Sequence, residues 1–375
     1  MIVLVTGASG FLGRAVAAQL VAEGHTVRTL QRRPSEVAGA TDVLGSVTDA
    51  SVVERAVTGR GAAAGEVAGN AAGGAGDGAP ELTGAVEGIV HLAAKVSLAG
   101  DPAEFRRVNV EGTRTLLDAA ERAGVRRFVQ VSSPSVAHTG SSLTGVGAEP
   151  ADPEHARGDY ARTKAEAELL ALSRDSAAMA VVAVRPHIVW GPGDTQLIER
   201  VVERARRGTL PLLNGGTALI DTTYIDNAAT GIAAALRRAE HAHGRAYVIT
   251  NGEPRPVADL LAGICLAAGV PVPRFSLPAE VGRAAGAAVE AVWDARRGLA
   301  GRVAGSALAD SPVARLLAAP ADEPPMTRFL AEQLSTAHWF DQRDTRRDLD
   351  WFPMVTIGQG LARLAAHYRA LAAER

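Results

Sequence analysis

The chain has 375 residues, 47% of them apolar, and a formal net charge of −2 at pH 7. Its length suits two domains or one large α/β domain with an appended lobe, and its near-neutral charge gives no reason to expect nucleic acid or an anionic membrane as a partner. The single cysteine, Cys265, excludes an internal disulfide and fits a reducing compartment. The nine histidines lack metal-ligand spacing, so we expect no metal. Met1 leads directly into an apolar segment, and no uncharged apolar run reaches about 18 residues, which predicts a cytoplasmic protein without a signal peptide or spanning helix.

The first predicted strand, residues 2–6, leads into a glycine turn and then into an apolar-periodic helix. Glycines allow positive φ and close approach of a ligand to the backbone. A helix N-terminus offers free N–H groups and a positive dipole to a pyrophosphate. The spacing is Gly-x-x-Gly-x-x-Gly rather than Gly-x-Gly-x-x-Gly. The pattern predicts a dinucleotide site, with a simple tight turn as the alternative; the predicted contacts are Gly7, Ser9, Gly10, Phe11, Leu12 and Gly13.

The second predicted strand, residues 25–30, ends where the adenosine ribose of a dinucleotide would lie. An NAD-specific protein usually places Asp or Glu there to bind the ribose 2′-hydroxyl. This chain has Gln31 followed by Arg32 and Arg33, which offer no carboxylate to repel a 2′-phosphate and two guanidinium groups to bind it. We therefore predict NADP(H) as the cofactor. The alternative is that both arginines belong to a solvated loop of an arginine-rich protein.

Alternating strand and helix patterns continue to about residue 190 and predict an α/β, Rossmann-type doubly wound parallel sheet. Residues 1–190 are therefore predicted to form the NADP-binding domain. Within it, residues 59–79 contain eight glycines and eight alanines among 21, which predicts a flexible insertion without an assigned function. The later strands are predicted at 89–93, 128–132 and 181–185, and helices at 110–123 and 163–172.

The pattern changes after residue 190, and residues 191–375 are predicted to form a smaller, mainly helical substrate lobe from which some segments return to the Rossmann core. One helix is predicted at 196–207 and another at 227–238, with Asp226 as its N-cap. Residues 279–308 have an amphipathic pattern with two interpretations left open: packing on the protein's own domain, or contact with a membrane surface or a partner protein.

Two of the 39 basic residues are lysines, Lys95 and Lys164, so arginine has replaced lysine almost everywhere. Lys164 follows Tyr160 by four residues, which places both side chains on one helix face. A nearby cation favours the phenolate and is expected to lower the pKa of Tyr160, making it a proton donor near neutral pH. The alternative is an ordinary exposed helix pair. Hydroxyl groups also follow the apolar part of a predicted strand, residues 128–131, at the end where α/β sheets bind ligands: Ser132, Ser133 and Ser135.

These motifs resemble the extended short-chain dehydrogenase/reductase superfamily along almost the whole chain: the glycine turn, Asn109, the serine cluster, the Tyr-x-x-x-Lys pair and Arg185-Pro186. The resemblance implies an oxidoreductase in which Tyr160 is the acid/base and Lys164 lowers its pKa and binds the nicotinamide ribose. It implies that Ser133, rather than Ser132 or Ser135, orients the substrate oxygen. Asn109 is implied to be structural or part of a proton relay. Further cofactor contacts are expected from Ala93, Ala94, Lys95, Pro186 and His187.

The segment at 91–96 resembles the 3β-hydroxysteroid dehydrogenase branch of that superfamily. A closer resemblance is to the 2-alkyl-3-ketoalkanoate reductases of bacterial long-chain olefin biosynthesis. It implies reduction of a 2-alkyl-3-keto long-chain fatty acid to the 3-hydroxy acid with NADPH, and passage of the product to a β-lactone synthetase and a decarboxylase. The chain departs from the pattern at the 59–79 insertion and at Ser133, where threonine is common. The segments that resemble these reductases are 133–136 with His138, 190–194, 221–227, 251–254, 323–334 and 338–339.

Several hypotheses stay open at this point. Lys95 follows a predicted strand near the nicotinamide end and is a candidate cation for the substrate carboxylate; the alternative is that it hydrogen-bonds its own loop. The chain is alternatively an NAD-dependent 3β-hydroxysteroid or sterol dehydrogenase, against which the missing acid at position 31 argues. A non-catalytic dinucleotide sensor is disfavoured by the Ser133, Tyr160 and Lys164 set. We expect a homo-oligomer and, because the implied substrate is long-chain, peripheral contact with a membrane.

Overall fold

The computed structural model describes residues 1–60, 67–69, 82–97, 100–138, 141–304, 332 and 334–373. Its strands are β1 (Ile2–Thr6), β2 (Thr26–Gln31), β3 (Ala40–Leu44), β4 (Val67–Gly69), β5 (Gly88–His91), β6 (Arg127–Val131), β7 (Leu143–Val146), β8 (Ala180–Pro186), β9 (Val189–Trp190), β10 (Leu212–Leu213), β11 (Leu219–Ile220), β12 (Thr223–Tyr224), β13 (Arg245–Ile249), β14 (Arg255–Pro256), β15 (Ser276–Leu277) and β16 (His338–Phe340).

The described α-helices are α1 (Phe11–Ala22), α2 (Ala50–Thr58), α3 (Pro102–Arg106), α4 (Gly112–Ala123), α5 (Gly158–Leu172), α6 (Ile198–Arg206), α7 (Ile225–Arg237), α8 (Ala239–Ala242), α9 (Val257–Ala267), α10 (Ala279–Ala304), α11 (Arg343–Leu349) and α12 (Ile357–Ala373). A π-helical turn, Arg107–Glu111, leads into α4, and 3₁₀ turns occur at Pro134–Ala137 and Asn214–Gly216.

Eight strands form the central sheet in the order β13-β8-β6-β5-β1-β2-β3-β4. The seven strands from β13 to β3 are parallel, and β4 pairs antiparallel with β3 at the edge. From β1 the chain order runs one way through β2 and β3 and the other way through β5, β6, β8 and β13. The carboxyl ends of β1 and β5 are therefore the switch point at which doubly wound sheets bind ligands. The predicted α/β Rossmann-type fold is confirmed.

Helices cover both faces of this sheet because successive strand residues point to opposite sides. In β1, Val3 and Val5 join a core that includes α1 and α7, whereas Leu4 joins a second core that includes α2 and α4. All three side chains are fully buried. The continuous apolar run of this strand is thus explained by burial on two sides, as expected for a parallel sheet.

The edge strand β4 lies inside the predicted insertion at 59–79. Thr41 of β3 pairs with Gly69, and Val43 pairs with Val67. The three residues of β4 therefore form a strand where a flexible segment was predicted. Pairing with the open edge of β3 satisfies their backbone hydrogen-bonding groups. Residues 61–66 and 70–79 of the insertion lie outside the described part of the chain.

Two helix starts differ from prediction. Helix α5 begins at Gly158 rather than at residue 163, so Tyr160 lies in its first turn. Helix α7 begins at Ile225 with Tyr224 as its N-cap, so the prediction of Asp226 as the cap is wrong. The Tyr224 N–H donates to Asn251 Oδ1 (3.0 Å), which fixes the chain before the helix. Asp226 lies in the first turn and pairs with Arg363.

A third apolar core lies beyond the central sheet and is built from α6, α9 and α12. Beside it, β14, β11, β16 and β7 form a small sheet in which β16 runs parallel to β7. This pairing brings residues near the C-terminus next to the segment that follows β6. Strand β13 lies in the central sheet although it follows residue 190, and the domain division at that residue stays a prediction.

Helix α10 packs on the protein at its start. Ala279 and Gly282 are buried, and a Cβ on Gly282 would lie 2.8 Å from the side chain of Leu213. Within that first turn Val281 is 50% exposed, and further along the helix Val292 is 62% exposed. Residues 305–308 of the predicted amphipathic segment are not among those described. Of the helices in the described ranges, none has the length and apolarity needed to cross a membrane.

Candidate active site

The glycine turn between β1 and α1 is held together by close backbone contacts. Gly7 has φ +79°, and a Cβ there would lie 2.9 Å from the Ala93 nitrogen after β5. A Cβ on Gly13 would collide with the Gly7 carbonyl oxygen. Gly10 is different, because its Cβ would meet only the Gly7 oxygen, at 3.4 Å, among the described atoms. The chain's own packing therefore requires glycine at 7 and 13, and leaves space in front of Gly10.

The N-terminus of α1 opens onto this space. Gly10 is its N-cap, and within the described chain no side chain caps it and no acidic residue occupies its first turn. The helix therefore presents main-chain N–H groups and a positive dipole without a competing carboxylate. Ser9, Phe11 and Leu12 are half-buried around the turn.

The end of β2 differs in part from the prediction. Gln31 is 5% exposed, and its amide donates to Thr29 Oγ1 and to Asp42 Oδ1, each at 3.0 Å. Asp42, fully buried on β3, was not identified from the sequence because β3 itself was not predicted. Gln31 is thus held inside the sheet, and the exposed groups at this end are Arg32 and Arg33.

A chain of hydrogen bonds fixes the segment after β5 against the glycine turn. His91 Nδ1 lies 2.7 Å from Thr6 Oγ1, which accepts from the Ala93 N–H at 3.0 Å. On the other side, His91 Nε2 lies 2.9 Å from Thr113 Oγ1, which donates to the Asn109 carbonyl. These roles require the proton of His91 on Nε2. Burial, and secondarily the charge of Lys164, lower the pKa of His91 to about 3.

The Asn109 side chain connects two segments of this arrangement. It lies in the π-helical turn before α4, a feature that is frequent at functional sites. Its Oδ1 accepts from the Lys95 N–H (2.7 Å), and its Nδ2 donates to Thr163 Oγ1 (3.0 Å) and to the Lys95 carbonyl (3.2 Å). These contacts join the loop after β5 to the residue before Lys164, and both predicted roles of Asn109, structural or part of a proton relay, stay predictions.

Lys95 is engaged by an acid of its own segment. Its Nζ donates to Glu104 Oε2 at 2.7 Å and lies 5.4 Å from the centroid of the Phe105 ring. This pairing is the main cause of a lowered pKa at Glu104, to which Arg107 and Arg32 contribute less. The hypothesis that Lys95 binds a substrate carboxylate gains no support from this geometry, because Glu104 already neutralises its charge.

The structure brings Ser133, Tyr160 and Lys164 together at the carboxyl end of β6. Ser133 is the N-cap of the 3₁₀ turn Pro134–Ala137 and hydrogen-bonds Tyr160. Ser135 Oγ donates to Ser133 Oγ (2.9 Å), so the Ser133 hydroxyl is free to point its own proton elsewhere. Lys164 Nζ donates to the Val131 carbonyl at 2.5 Å. Ser133 is therefore the serine that faces the tyrosine.

The pKa of Tyr160 moves in the direction opposite to the prediction. Burial raises it to about 12, and the hydrogen bond with Ser133 lowers it by less. Burial also lowers the pKa of Lys164 to about 8, against a smaller upward effect of Glu168. Burial and Ser133 are the two causes that shift the Tyr160 pKa in this structure, and Lys164 is not among them, so the expected lowering by Lys164 is not observed. Near neutral pH Tyr160 is a phenol, the form that donates a proton.

Pro186 is the last residue of β8, and His187 follows it next to the same edge. His187 Nδ1 donates to the Asp221 carbonyl (2.5 Å), and its ring meets Phe340 edge-on at 5.1 Å. The Asp221 carboxylate accepts from Thr250 Oγ1 (2.6 Å), and burial raises its pKa to about 6. The His187 ring is thus held by the carbonyl that follows β11 and by Phe340 of β16, while its backbone N–H donates to the Ile249 carbonyl of β13 at 3.1 Å.

Three buried histidines meet beside the serine segment, and we call them the histidine wall: His138, His187 and His338. The ring centroids of His138 and His338 are 4.7 Å apart, and those of His187 and His338 are 5.8 Å apart. Burial, followed by the two neighbouring histidines, lowers the pKa of His338 to about 3. In the sequence, His138 and His338 belong to segments that resemble a reductase family. Their contact in the fold was not predicted. In the described ranges, no group of His, Cys, Asp or Glu side chains has the arrangement of a metal site.

The residues at this edge fit a nicotinamide dinucleotide. The space at Gly10 and the uncapped α1 suit the pyrophosphate, and exposed Arg32 and Arg33 stand at the adenosine end. Ser132 Oγ, buried at the end of β6, has no hydrogen-bond partner among the described residues. When bound, such a cofactor supplies or accepts the hydride.

Comparison with known proteins agrees with this geometry. Residues 3–250 match the NAD dependent epimerase/dehydratase family. The chain is 35% identical to the 2-alkyl-3-oxoalkanoate reductase of Stenotrophomonas maltophilia (strain K279a), over 98% of this chain and 99% of the relative. It is 30% identical to a 3 beta-hydroxysteroid dehydrogenase/Delta 5→4-isomerase of Mycobacterium tuberculosis (strain CDC 1551 / Oshkosh), over 98% of this chain and 90% of the relative.

A solved structure shares the fold. It is a short-chain dehydrogenase/reductase superfamily protein from Agrobacterium tumefaciens with bound NAD, with a TM-score of 0.66 at 23% identity, covering 100% of this chain and 99% of that one. The chain therefore belongs to the NAD dependent epimerase/dehydratase family, among the extended short-chain dehydrogenase/reductases, and is an NAD(P)-dependent oxidoreductase acting on CH–OH groups.

Proposed function

We propose that the protein uses NADPH to reduce the C3 ketone of a 2-alkyl-3-keto long-chain fatty acid to the 2-alkyl-3-hydroxy acid, in long-chain olefin biosynthesis. The observation that supports this most is the end-to-end similarity to a 2-alkyl-3-oxoalkanoate reductase, which covers 98% of this chain and includes the substrate lobe. The nucleotide-binding half alone would not distinguish substrates, because a fold does not imply a function.

The catalytic hydroxyls suit ketone reduction. Ser133 lies close enough to Tyr160 to lower its pKa, so once a substrate is bound both hydroxyls can donate to its ketone oxygen and stabilise the negative charge that develops on it. Tyr160, a phenol at neutral pH, then donates its proton to that oxygen. Ser135 donates to Ser133, which directs the Ser133 proton towards the tyrosine and the substrate. Lys164, on the same helix face, supplies the positive charge that offsets a tyrosinate after the proton leaves.

Preference for NADPH is proposed from the end of β2. Arg32 and Arg33 are exposed there, and the Gln31 amide is bonded to Asp42 instead of presenting an acid to a ribose hydroxyl. Guanidinium groups bind phosphate oxygens through paired, charge-assisted hydrogen bonds. An added 2′-phosphate would therefore gain contacts at this end rather than lose them.

A side-by-side assay tests both parts of the proposal. NADPH and NADH oxidation would be followed with a 2-alkyl-3-keto long-chain acid and with a 3-ketosteroid, and NADP reduction with the 2-alkyl-3-hydroxy acid, since the keto acid decarboxylates readily. We expect turnover of the alkyl acid pair with NADP(H). Turnover of the steroid alone with NAD(H) would instead identify a 3β-hydroxysteroid dehydrogenase, the activity named for the M. tuberculosis relative.

The reaction also indicates the neighbouring steps. A β-hydroxy acid is the substrate that a β-lactone synthetase consumes, and a decarboxylase would act on the lactone. We propose these two enzymes as the partners that receive the product; a pull-down of each with this chain would test direct association.

A further inference from the structure

Arg185 and Glu168 form the most completely buried ion pair among the described side chains. The pair links α5, the helix that carries Tyr160 and Lys164, to β8. Arg185 and Glu168 are 2% and 1% exposed. Arg185 Nε donates to Glu168 Oε2 at 2.9 Å, and its Nη2 donates to Glu168 Oε1, so the contact is bidentate. Arg185 Nη1 also donates to the Glu149 carbonyl (2.6 Å), in the loop that leads to α5.

This pair joins two parts of the site. Glu168 follows Lys164 by four residues on α5, as Lys164 follows Tyr160, so the three side chains share one helix face. Arg185 lies on β8 and precedes Pro186 directly. The bidentate contact therefore fixes the helix that holds the acid and the lysine against the strand that leads to the nicotinamide-side residues.

Stability alone does not explain such a pair. Removing two charges from water costs about as much as their attraction returns, and well-packed apolar side chains of similar volume are often as stable. A buried pair next to catalytic groups is therefore better explained by the position and the field that it imposes on them.

We propose that Glu168 and Arg185 are positioning residues for catalysis: the pair sets the orientation of the Tyr160–Lys164 helix, and the Glu168 carboxylate keeps Lys164 protonated at neutral pH. This inference rests on the proposed function for its catalytic consequence but not for its electrostatic one.

The surroundings of Lys164 agree with the proposal. Burial lowers its pKa to about 8, and Glu168 is the group that opposes this shift. From β6, the Val131 carbonyl accepts from Nζ. From β5, His91 faces it as a neutral ring, with a pKa of about 3. Tyr160 is a neutral phenol, and the Arg185 charge is engaged by Glu168. Without Glu168, burial would act unopposed by a carboxylate among the described neighbours, and the lysine would become neutral at lower pH.

The chain's composition makes a direct measurement possible, because Lys95 and Lys164 are its two lysines. Lysine labelled with ¹³C at Cε would give two signals, which a Lys95→Arg variant assigns. Their titration would be followed by NMR in the full-length protein, with and without NADPH. In the wild type we expect the Lys164 signal to titrate near pH 8.

Two variants test the pair. Glu168→Gln removes the charge and keeps the shape, and we expect the Lys164 midpoint to fall by about one pH unit or more. Glu168→Gln leaves a buried arginine unpaired, which costs stability. Glu168→Met combined with Arg185→Met therefore provides a second, apolar version, with an expected fall of about half a unit. The matched control is Glu166→Gln on the same helix, whose partner is the exposed Arg106; we expect no change there.

The alkaline limb of the kcat–pH profile should move down by the same amount as the Lys164 midpoint. A merely structural pair would alter the melting temperature and leave both the midpoint and the limb in place, and that result in either folded variant would overturn the proposal. The NMR titration needs no substrate. It therefore still tests the effect of Glu168 on Lys164 if the protein does not catalyse the proposed reaction.

Discussion

The cofactor end of the site and the histidine wall are built in different ways. At the cofactor end, each part is local in sequence: the turn at residues 7–13, the arginines at 32 and 33, and the Tyr160–Lys164 pair on one helix. The histidine wall joins positions 138, 187 and 338, which meet only because β16 pairs with β7 and His187 reaches the Asp221 carbonyl. Chemistry set by one short backbone segment is visible as a motif, whereas a surface assembled by tertiary pairing is not.

The largest expected effect is at the Tyr160–Lys164 pair of the cofactor end. Tyr160→Phe removes the proton donor while keeping the ring, so we expect kcat to fall by roughly 10²–10⁴-fold. NADPH binding, followed by its fluorescence, should change little. Tyr368→Phe, on α12, is the matched control and should retain activity. Near wild-type kcat in Tyr160→Phe would show that the acid lies elsewhere.

A smaller effect is expected at the adenosine end. Replacing Arg32 and Arg33 together with alanine removes the groups proposed to bind the 2′-phosphate, and we expect the KM for NADPH to rise by roughly 10–100-fold. The KM for NADH should stay within about twofold, since no 2′-phosphate is involved. The control is Arg122→Ala with Arg126→Ala, two exposed arginines in the segment that leads from α4 into the start of β6. Equal losses for both cofactors would argue against the proposed clamp.

The glycines offer a comparison within one turn. Gly10 has φ −85°, which alanine adopts freely, and its Cβ would meet only the Gly7 oxygen. We expect Gly10→Ala to keep its melting temperature but bind NADPH about tenfold more weakly, because the methyl group occupies the ligand's space. Gly13→Ala should lose stability itself, through collision with the Gly7 carbonyl. If Gly10→Ala bound NADPH normally, the pyrophosphate could not lie there.

The histidine wall should appear in the pH dependence of stability. Its member His338 has a folded pKa lowered to about 3, whereas the unfolded residue titrates near 6.5. Below about pH 6.5, His338 binds a proton in the unfolded chain but stays neutral in the folded chain. The free energy of unfolding therefore falls as the pH drops towards 3, by up to about 1.4 kcal/mol per pH unit.

His338→Gln removes this linkage, so its melting temperature should depend less steeply on pH between about 6.5 and 4.5. The exposed His155 is the control position, with His155→Gln expected to keep the wild-type slope. An unchanged slope in His338→Gln would mean that the wall is not neutral in the folded protein.

Much of the nucleotide-binding half was predictable from sequence because its strands are apolar runs between helices of regular period. The exceptions have physical causes. β3 contains the polar Thr41 and Asp42, so it lacks the apolar run that would predict a strand. Because β3 was not predicted, Asp42 was not identified as the partner of Gln31. The strands of the substrate lobe have two to five residues, too few for a periodic pattern.

The direction of the Tyr160 pKa shift shows a different limit. Spacing on a helix predicts which groups are neighbours, and Tyr160 and Lys164 do share a helix face. Spacing does not reveal burial, which here dominates the pKa values of both groups. The buried Arg185–Glu168 pair could not be predicted for a related reason: its members lie on a helix and on the strand that follows it, and no sequence pattern shows that they meet.

The most direct test of the account is a label-transfer competition. The enzyme would reduce a 2-alkyl-3-keto long-chain acid with equal concentrations of NADPH deuterated at the transferred C4 position and unlabelled NADH, and then with the labels exchanged. Mass spectrometry would read deuterium at C3 of the 2-alkyl-3-hydroxy acid. We expect the product to follow the label on NADPH in both mixtures, with Tyr160→Phe forming almost none. Product that follows NADH, or no reduced acid from the wild type, would contradict the assignment of this chain as an NADPH-dependent ketone reductase.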